Sequence, residues 1–479
     1  MPVSAPTRWP LEPICSSSRL CWTLPGTATR RSARRVRRSA VAVATAITIV
    51  ATLASGCAPA PAPPANAGAG VRIDTNTPQG VRAKQVMDML NSDWPIGPVS
   101  VKTLAAPDVV DPVATTMDSL WWDRPYTLAG VDIGAGVATL HVLTSYGARQ
   151  DIELHTNDQT MVSRFEVTTE KPVINSWPDV DAALSRTGAR YSYQVSKVDD
   201  GRCEKVAGTN TAESLPLASI FKTYVLFAVE EEVRAGKVSW DDQLTITTEG
   251  KKLGSSGFDK LPPGSQITVR EAAGKMIATS DNMATDMLIG RVGTPAIERA
   301  LVDAGHHDPG SMTPFPTMRE IFAVGWGNPD IREQWKTADS PQRRSVLLQE
   351  ANSRPYEPDP QRTHAPGSAY GAEWYGSAED ICRVHAALQH NAIGAAAPVR
   401  DIMSEIPGID LDRAEWPYIG AKAGNLPGDL TFSWYAVDRT GQAWVVSFQL
   451  NWPRYHSPNA GGWVMTIIKQ VFAMLPRYR

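Results

Sequence analysis

Three short groups of polar residues are set in apolar surroundings along this chain of 479 residues. The first lies in LASIFKTYVLF, residues 217–227, where Ser219 precedes Lys222 by three positions. On the first turn of a helix, residues at i and i+3 share a face, so a hydroxyl and an amine there come within hydrogen-bonding reach. A serine that keeps its proton is a poor nucleophile. A desolvated lysine enclosed by Ile220, Phe221, Tyr224 and Val225 can accept that proton, and a helix N-terminus favours negative charge on the serine oxygen. The plain alternative is a capping serine and a lysine whose stem follows the core while its head reaches water.

The second group is Ser280-Asp281-Asn282, between two helical patterns. Ser280 there can relay a proton to a leaving nitrogen or oxygen, and Asn282 can donate to a substrate amide and hold Lys222. Its alternative is a connecting turn whose Asp and Asn only cap the next helix. The third is Lys422-Ala423-Gly424, on the penultimate strand region. Lys422 is suited to bind a substrate carboxylate and to bias Ser280, and Gly424 leaves room for substrate along the strand. The backbone N–H of Asn425 would join that of Ser219 as an oxyanion hole, where one donor is worth ~3 kcal/mol in comparable serine chemistry. A surface lysine on an edge strand is the bland account.

Particular elements must position these groups. A helix is expected from about Ser219 to Ala235, stopped by Gly236. Thr268 and Glu271 form a capping box that opens a helix to Ala278, and another helix carries Met287 and Leu288 to Gly293. ARYSYQVSKV reads as a strand before them; YIGAKAG, TFSWYAVD and AWVVSFQL read as strands after them. A last helix is expected over 461–474. Strands from both ends, joined in one antiparallel sheet flanked by helices, make a domain over 173–479. Its residues 326–375, rich in tryptophan and proline, read as an insertion; the tryptophans after residue 320 either staple it, the favoured reading, or line a cleft. Residues 72–172 read as a small α+β domain without a catalytic cluster, a spacer or docking module. Thr77-Pro78 starts its helix to about Asn91, and in MVSRFEVTT the residues Met161, Phe165 and Val167 face opposite to Arg164, Glu166 and Thr168.

Hydrophobic content of 42% with 20% charged residues describes a soluble globular protein, and the length exceeds one ordinary core. The first 56 residues carry a net charge of +7, leaving −10 for the remainder. That acidic remainder argues against a nucleic-acid partner, which needs a positive surface. Arg30, Arg31, Arg34, Arg35, Arg37 and Arg38 precede the apolar residues 40–54, the pattern of a signal region over 1–56 that is too short to span a bilayer. Residues 1–29 extend it upstream in a way that suggests a later translation start. LASGC, ending at Cys57, resembles a bacterial lipoprotein cleavage site, which implies acylation of Cys57; ordinary secretion and a retained anchor are the alternatives. Residues 57–71 then form a flexible tether. The expected partners are a membrane, through the lipid anchor, and a small-molecule or peptidoglycan-type substrate. Cys203 and Cys382 can pair in an oxidising compartment or stay as buried thiols. Neither a cofactor nor a metal is expected: the side chains of His306 and His307 should diverge, and no third ligand has suitable spacing. AGVDIGAG lacks the lysine of a phosphate loop.

The order of the three groups, with VREAAGKMIATSDNMATDMLIGRVG around the second, resembles class A β-lactamases and penicillin-binding serine hydrolases over about 176–479. The resemblance implies an α/β β-lactamase/transpeptidase-like fold, an acyl-serine intermediate, and Ser219, Lys222, Ser280, Asn282 and Lys422 as catalytic residues. Two features depart from it. The glutamate of an E-x-x-L-N loop, expected near residue 316 to activate water, is missing from HHDPGSMTPFPTMREIFAV, where Asp308 and Glu320 are poor substitutes. Ala423 stands where a hydroxyl usually grips the β-lactam carboxylate. Both leave acylation intact and weaken hydrolysis of the acyl group. The two-domain layout resembles the β-lactamase-like esterase of the clavulanic acid cluster, which implies a cystatin- or steroid-isomerase-like small domain. The expected function is an exported serine hydrolase of an ester or amide with at most weak β-lactamase activity. The alternatives are a penicillin-binding or D-Ala-D-Ala peptidase-like protein and a non-catalytic envelope lipoprotein.

Overall fold

The computed structural model describes residues 70–478, so the signal region, Cys57 and nearly all of the tether lie outside the described residues. Among the described residues no helix is long and apolar enough to cross a membrane.

The small domain begins with α1 (Pro78–Leu90), α2 (Pro98–Val101) and α3 (Val110–Trp121). Thr77 caps α1 by accepting the N–H of Gly80 at 3.1 Å. Four antiparallel strands follow in spatial order: β1 (Thr127–Gly134), β2 (Val137–Leu143), β3 (Arg149–Thr156) and β4 (Val162–Thr169). The helices and one sheet face enclose a core of their own, with Met117, Leu140, Ile152 and Leu154 fully buried. Neither α2 nor α3 was expected, although Val113, Met117, Leu120 and Trp121 make a helical stripe. In β4, Arg164, Glu166 and Thr168 are exposed and Phe165 and Val167 turn inward. Met161 does not join them. An irregularity between His155 and Thr156 shifts the pairing, and Val162 takes the fully buried place.

The second domain opens with α4 (Trp177–Ser185), β5 (Arg190–Asp199), β6 (Arg202–Thr209) and β7 (Leu215–Pro216). A 3-10 turn over Ala218–Phe221 runs into α5 (Lys222–Arg234), and Gly236 ends this element at φ +70°. Next come β8 (Gln243–Thr245), α6 (Thr248–Lys251), β9 (Gln266–Thr268), α7 (Val269–Ala278), α8 (Asn282–Val292) and α9 (Thr294–Asp303). The predicted capping box is present at the head of α7. The insertion holds α11 (Arg332–Lys336) and α12 (Pro341–Asn352) after α10 (Met318–Trp326). Its tryptophans do staple it. Trp326 Nε1 donates to Ala365 O at 2.9 Å, Trp335 Nε1 to Gly371 O at 2.9 Å and Trp374 Nε1 to Pro316 O at 3.2 Å.

The chain then returns through β10 (Tyr375–Gly376), α13 (Ala378–Asn391), α14 (Pro398–Ser404), β11 (Tyr418–Leu426), β12 (Asp429–Val437), β13 (Ala443–Asn451) and α15 (Pro458–Met474). Five antiparallel strands in the order β11-β12-β13-β5-β6 join both ends of the domain. Two strands follow β11, so Lys422 lies on the third strand from the end, at the sheet edge, and not on the penultimate one. The last helix starts at 458 because the Ser457 hydroxyl accepts the N–H of Asn459 and Pro458 fills its first position. Strand alternation decides which side chains meet the chemistry. On β11, Ile419 and Ala421 enter the core shared with α15, which sends Lys422 and Gly424 to the opposite, helical side.

Cys203 of β6 and Cys382 of α13 form a disulfide with their Cα atoms 6.3 Å apart. The domains meet where the fully buried Asp123 accepts the N–H of Ser457 at 2.9 Å and its hydroxyl at 2.6 Å. Trp122 stacks on His364 beside that contact, with ring centroids 4.3 Å apart.

Candidate active site

Ser219 sits inside the 3-10 turn, behind Ala218 at φ +43°. Side chains at i and i+3 of such a turn eclipse, and the turn runs directly into α5 at Lys222. Ile220, Phe221, Tyr224 and Val225 are all fully buried, and Phe221 stacks on Trp374 with centroids 3.7 Å apart. Ser219 keeps partial exposure. Lys222 keeps none, so its head does not reach water. Its Nζ donates to Ser280 O at 2.7 Å, Ser280 Oγ at 3.1 Å and Asn282 Oδ1 at 2.8 Å. These bonds run to the Ser280 turn, and Ser219 lies three residues before the lysine in sequence.

The turn itself is held from below. Asp281 is 1% exposed; its Oδ2 accepts Ser255 Oγ at 2.6 Å and the N–H groups of Ser256 and Gly257 at 3.1 and 3.0 Å. Its Oδ1 accepts the N–H of Ala284 at 2.8 Å, so capping is the correct account of Asp281. Ser280, at φ +58°, is thereby aimed away from α8. Asn282 is not the cap but the first residue of α8. Its Oδ1 faces Lys222, and its Nδ2 donates to Leu253 O at 3.0 Å, which gives it the role of holding the lysine and commits one amide hydrogen to the protein.

Lys422 is 3% exposed, not a surface lysine, and its Nζ donates to Ser280 Oγ at 3.1 Å and also to Ala423 O. Ser280 Oγ therefore stands between two amines. A Cβ on Gly424 would lie 2.4 Å from Ser219 N and 2.8 Å from Thr431 Oγ1. Only a glycine lets β11 approach the Ser219 amide this closely. Asn425, the other expected oxyanion donor, follows on the same strand.

Sequence reasoning missed the residues that fix β11. The buried hydroxyl of Thr431 lies 3.0 Å from Leu217 O and 3.2 Å from Gly424 O, linking the Ser219 turn to the strand. Ser433 Oγ donates to Lys422 O at 2.8 Å and lies 2.8 Å from His385 Nε2. Burial pushes His385 down to about 4, so its imidazole is neutral and donates from Nε2. The two hydroxyls alternate in TFSWYAVD, the one signal that could have exposed them. Asp286, one turn along α8 from Asn282, was also missed. Its carboxylate accepts the N–H groups of Met318 and Arg319 at 2.7 and 3.0 Å, at the head of α10. Enclosure pushes Asp286 up to about 7, against those two donors and the charge of Lys222.

The substitutes for the missing glutamate are accounted for. Glu320 Oε2 accepts the N–H of Thr317 at 2.7 Å, and its Oε1 accepts Asn352 Nδ2, so it caps α10. Asp308 is exposed. The expected divergence of His306 and His307 is corrected: their rings stack with centroids 5.1 Å apart, and Asp380, distant in sequence, brings the ligand atoms of all three within 4.8 Å. Yet His306 Nδ1 accepts the N–H of Asp308 at 3.0 Å and its Nε2 faces Tyr375 O at 2.9 Å. Asp380 accepts the N–H and hydroxyl of Ser377 at 2.7 and 2.8 Å and the N–H of His307 at 2.8 Å. Burial would raise the Asp380 carboxyl, but these donors and the neighbouring histidines bring it to about 2. The group closes the head of α13.

Residues 176–339 match the Beta-lactamase enzyme family, and residues 73–162 match the ORF 12 gene product N-terminal family. No curated protein matches the chain. A β-lactamase from Sphaerobacter thermophilus is 18% identical, with 63% of this chain and 99% of that one covered at a TM-score of 0.42. PBP-A is 17% identical, with 64% and 98% covered at 0.43. The chromosome-encoded β-lactamase of Vibrio parahaemolyticus is 16% identical, with 63% and 98% covered at 0.45. The stretch matched to the Beta-lactamase enzyme family, residues 176–339, is the one that bears Ser219, Lys222 and the Ser280 turn.

Proposed function

We propose that the protein is an exported serine hydrolase that forms an acyl-enzyme on Ser219, acting on an ester or amide with at most weak turnover of β-lactams. The observation that carries this is the fully buried Lys222 amine, joined to Lys422 through the single hydroxyl of Ser280 beside the nucleophile turn. On giving up one proton the amine keeps two N–H bonds, to Ser280 O and Asn282 Oδ1, and its lone pair takes the proton of Ser219. The serine oxygen then attacks the carbonyl, whose oxygen takes the negative charge and is met by the N–H groups of Ser219 and Asn425. Ser280, accepting from Lys422, passes its own proton to the departing oxygen or nitrogen and recovers one from Lys222. Hydrolysis of an activated ester by wild type and by Ser219→Ala tests this, and equal rates in the two would overturn it.

A second reading, a penicillin-binding or D-Ala-D-Ala peptidase-like protein, is favoured by the engagement of Glu320 in the cap of α10. Without a positioned base the water that removes the acyl group lacks a proton acceptor. Intact mass after incubation with a penicillin separates the two: a persistent adduct supports this reading, and rapid turnover without one counts against it. Export and a lipid anchor on Cys57 belong to the same proposal and are supported by the basic and apolar residues before that cysteine. Release of the protein from membranes on Cys57→Ser is the expected result; unchanged membrane retention would contradict the anchor.

A further inference from the structure

Behind the nucleophile turn lies a second pair of ionisable groups that the proposed chemistry leaves unused. Glu373 is 5% exposed and Asp429 is 3% exposed. Glu373 comes just before β10, whose pairing with β7 brings it beside the residues that lead into Ser219. Its carboxyl accepts the N–H of Trp374 at 2.8 Å and also the N–H of Ala218. Asp429 opens β12, and its Oδ1 accepts Asn451 Nδ2 at 2.5 Å and Ser368 Oγ at 3.2 Å. One oxygen of each acid is left over: Glu373 Oε2 and Asp429 Oδ2 are buried and have no donor. Buried polar atoms without partners are rare and call for an explanation. The two carboxyls are within hydrogen-bonding range of each other, so one proton between them satisfies both leftover oxygens.

We propose that Glu373 and Asp429 share one proton and that Glu373, as a positioning residue, braces the left-handed Ala218 through its N–H and so sets the geometry of Ser219. This rests on Ser219 being the nucleophile. A non-glycine residue at φ +43° persists only where its surroundings hold it. The N–H that Glu373 accepts belongs to that residue, directly before the nucleophile. If the acceptor is lost, Ala218 is free to relax, and Ser219 shifts against Gly424 and Lys222.

The titration of the pair agrees with this arrangement. Burial and then the charge of Asp429 push Glu373 well above the usual carboxylate range. Burial pushes Asp429 up to about 7, against the donors Asn451, Ser368 and Glu373. Above neutrality the pair therefore holds one proton, on Glu373. Below neutrality it takes a second, which has no acceptor within the pair, and the brace loosens. Tyr375 also feels the pair: burial and then both acids raise it, and Arg190 of β5 and Arg344 of α12 act to lower it.

Glu373→Gln and Asp429→Asn each replace the shared proton by an amide hydrogen and keep the remaining bonds. Labelling of Ser219 by a fluorophosphonate is expected to slow in wild type as pH falls through neutrality, and each amide variant should lose that inflection. Glu373→Ala should slow labelling at pH 8 by about 100-fold, with Glu373→Gln recovering about tenfold or more of that loss. Infrared difference spectra at pH 8 should show a protonated carboxyl in wild type that Glu373→Gln lacks, a readout independent of reactivity at Ser219. The brace is overturned if Glu373→Gln is as slow as Glu373→Ala, if Asp429→Asn keeps the wild-type inflection, or if no carboxyl band is lost. Loss of the band with no labelling of Ser219 in any form would uphold the shared proton and overturn instead the acyl-serine chemistry.

Discussion

Replacing Lys222 by methionine leaves Ser280 O and Asn282 Oδ1 facing an apolar tip in a closed interior. Acylation of Ser219 should fall by roughly 10² to 10⁴, the range for losing a positioned base. Stability should fall by about 1–3 kcal/mol, because two buried acceptors lose their donor. Burst kinetics with an activated ester and urea unfolding measure the two effects, and an unchanged burst would remove Lys222 from the mechanism. The five side chains proposed for catalysis could be picked out because the spacing within each group is local and the surroundings are apolar. Thr431, Ser433 and His385 were not, because their roles depend on which residues of β12 face β11 and on α13 packing beneath them. Asn282 was legible as a partner of Lys222, while its tie to Leu253 O depends on a loop that no periodicity announces.

Helix α5 carries a second acid inside the core. Glu230 is fully buried, neither of its carboxyl oxygens has a donor, and burial, then the charge of Glu231, push it up to about 9. An unfolded glutamate loses its proton near 4.3. Between those values the folded chain keeps a proton that the unfolded chain has released, so unfolding is favoured as pH rises. The stability tied to this proton is complete at low pH and is lost on the way up to about 9. Glu230→Gln should remove this slope, so that wild type loses on the order of 1–3 kcal/mol more than the variant between pH 5 and pH 8. Denaturant unfolding at both pH values checks it, and parallel losses would contradict it. At this scale the capped helices were easy to read, since Thr268 and Glu271 act within one turn. The short 3-10 turn at Ser219 was read as α-helix because both share apolar spacing at i and i+3, and α3 was passed over despite its stripe.

For the whole molecule, a four-stranded sheet with a core of its own, and a five-stranded sheet built from both ends of the part that follows, could be read from the order of helical and strand patterns. The contact between the domains did not, because Asp123 and Ser457 are 334 positions apart. Asp123→Ala takes away both hydrogen bonds to Ser457 and should uncouple the domains, splitting one calorimetric unfolding transition into two. A single transition at the wild-type temperature would show that the other contacts hold the domains together. The account as a whole depends on an oxygen at residue 219 that accepts an acyl or phosphonyl group. Intact mass of the full chain after reaction with a fluorophosphonate tests this most directly. One adduct per chain, mapped to Ser219 and absent from Ser219→Ala, is the predicted result; an unmodified wild-type mass, or an adduct that persists in Ser219→Ala, would contradict it.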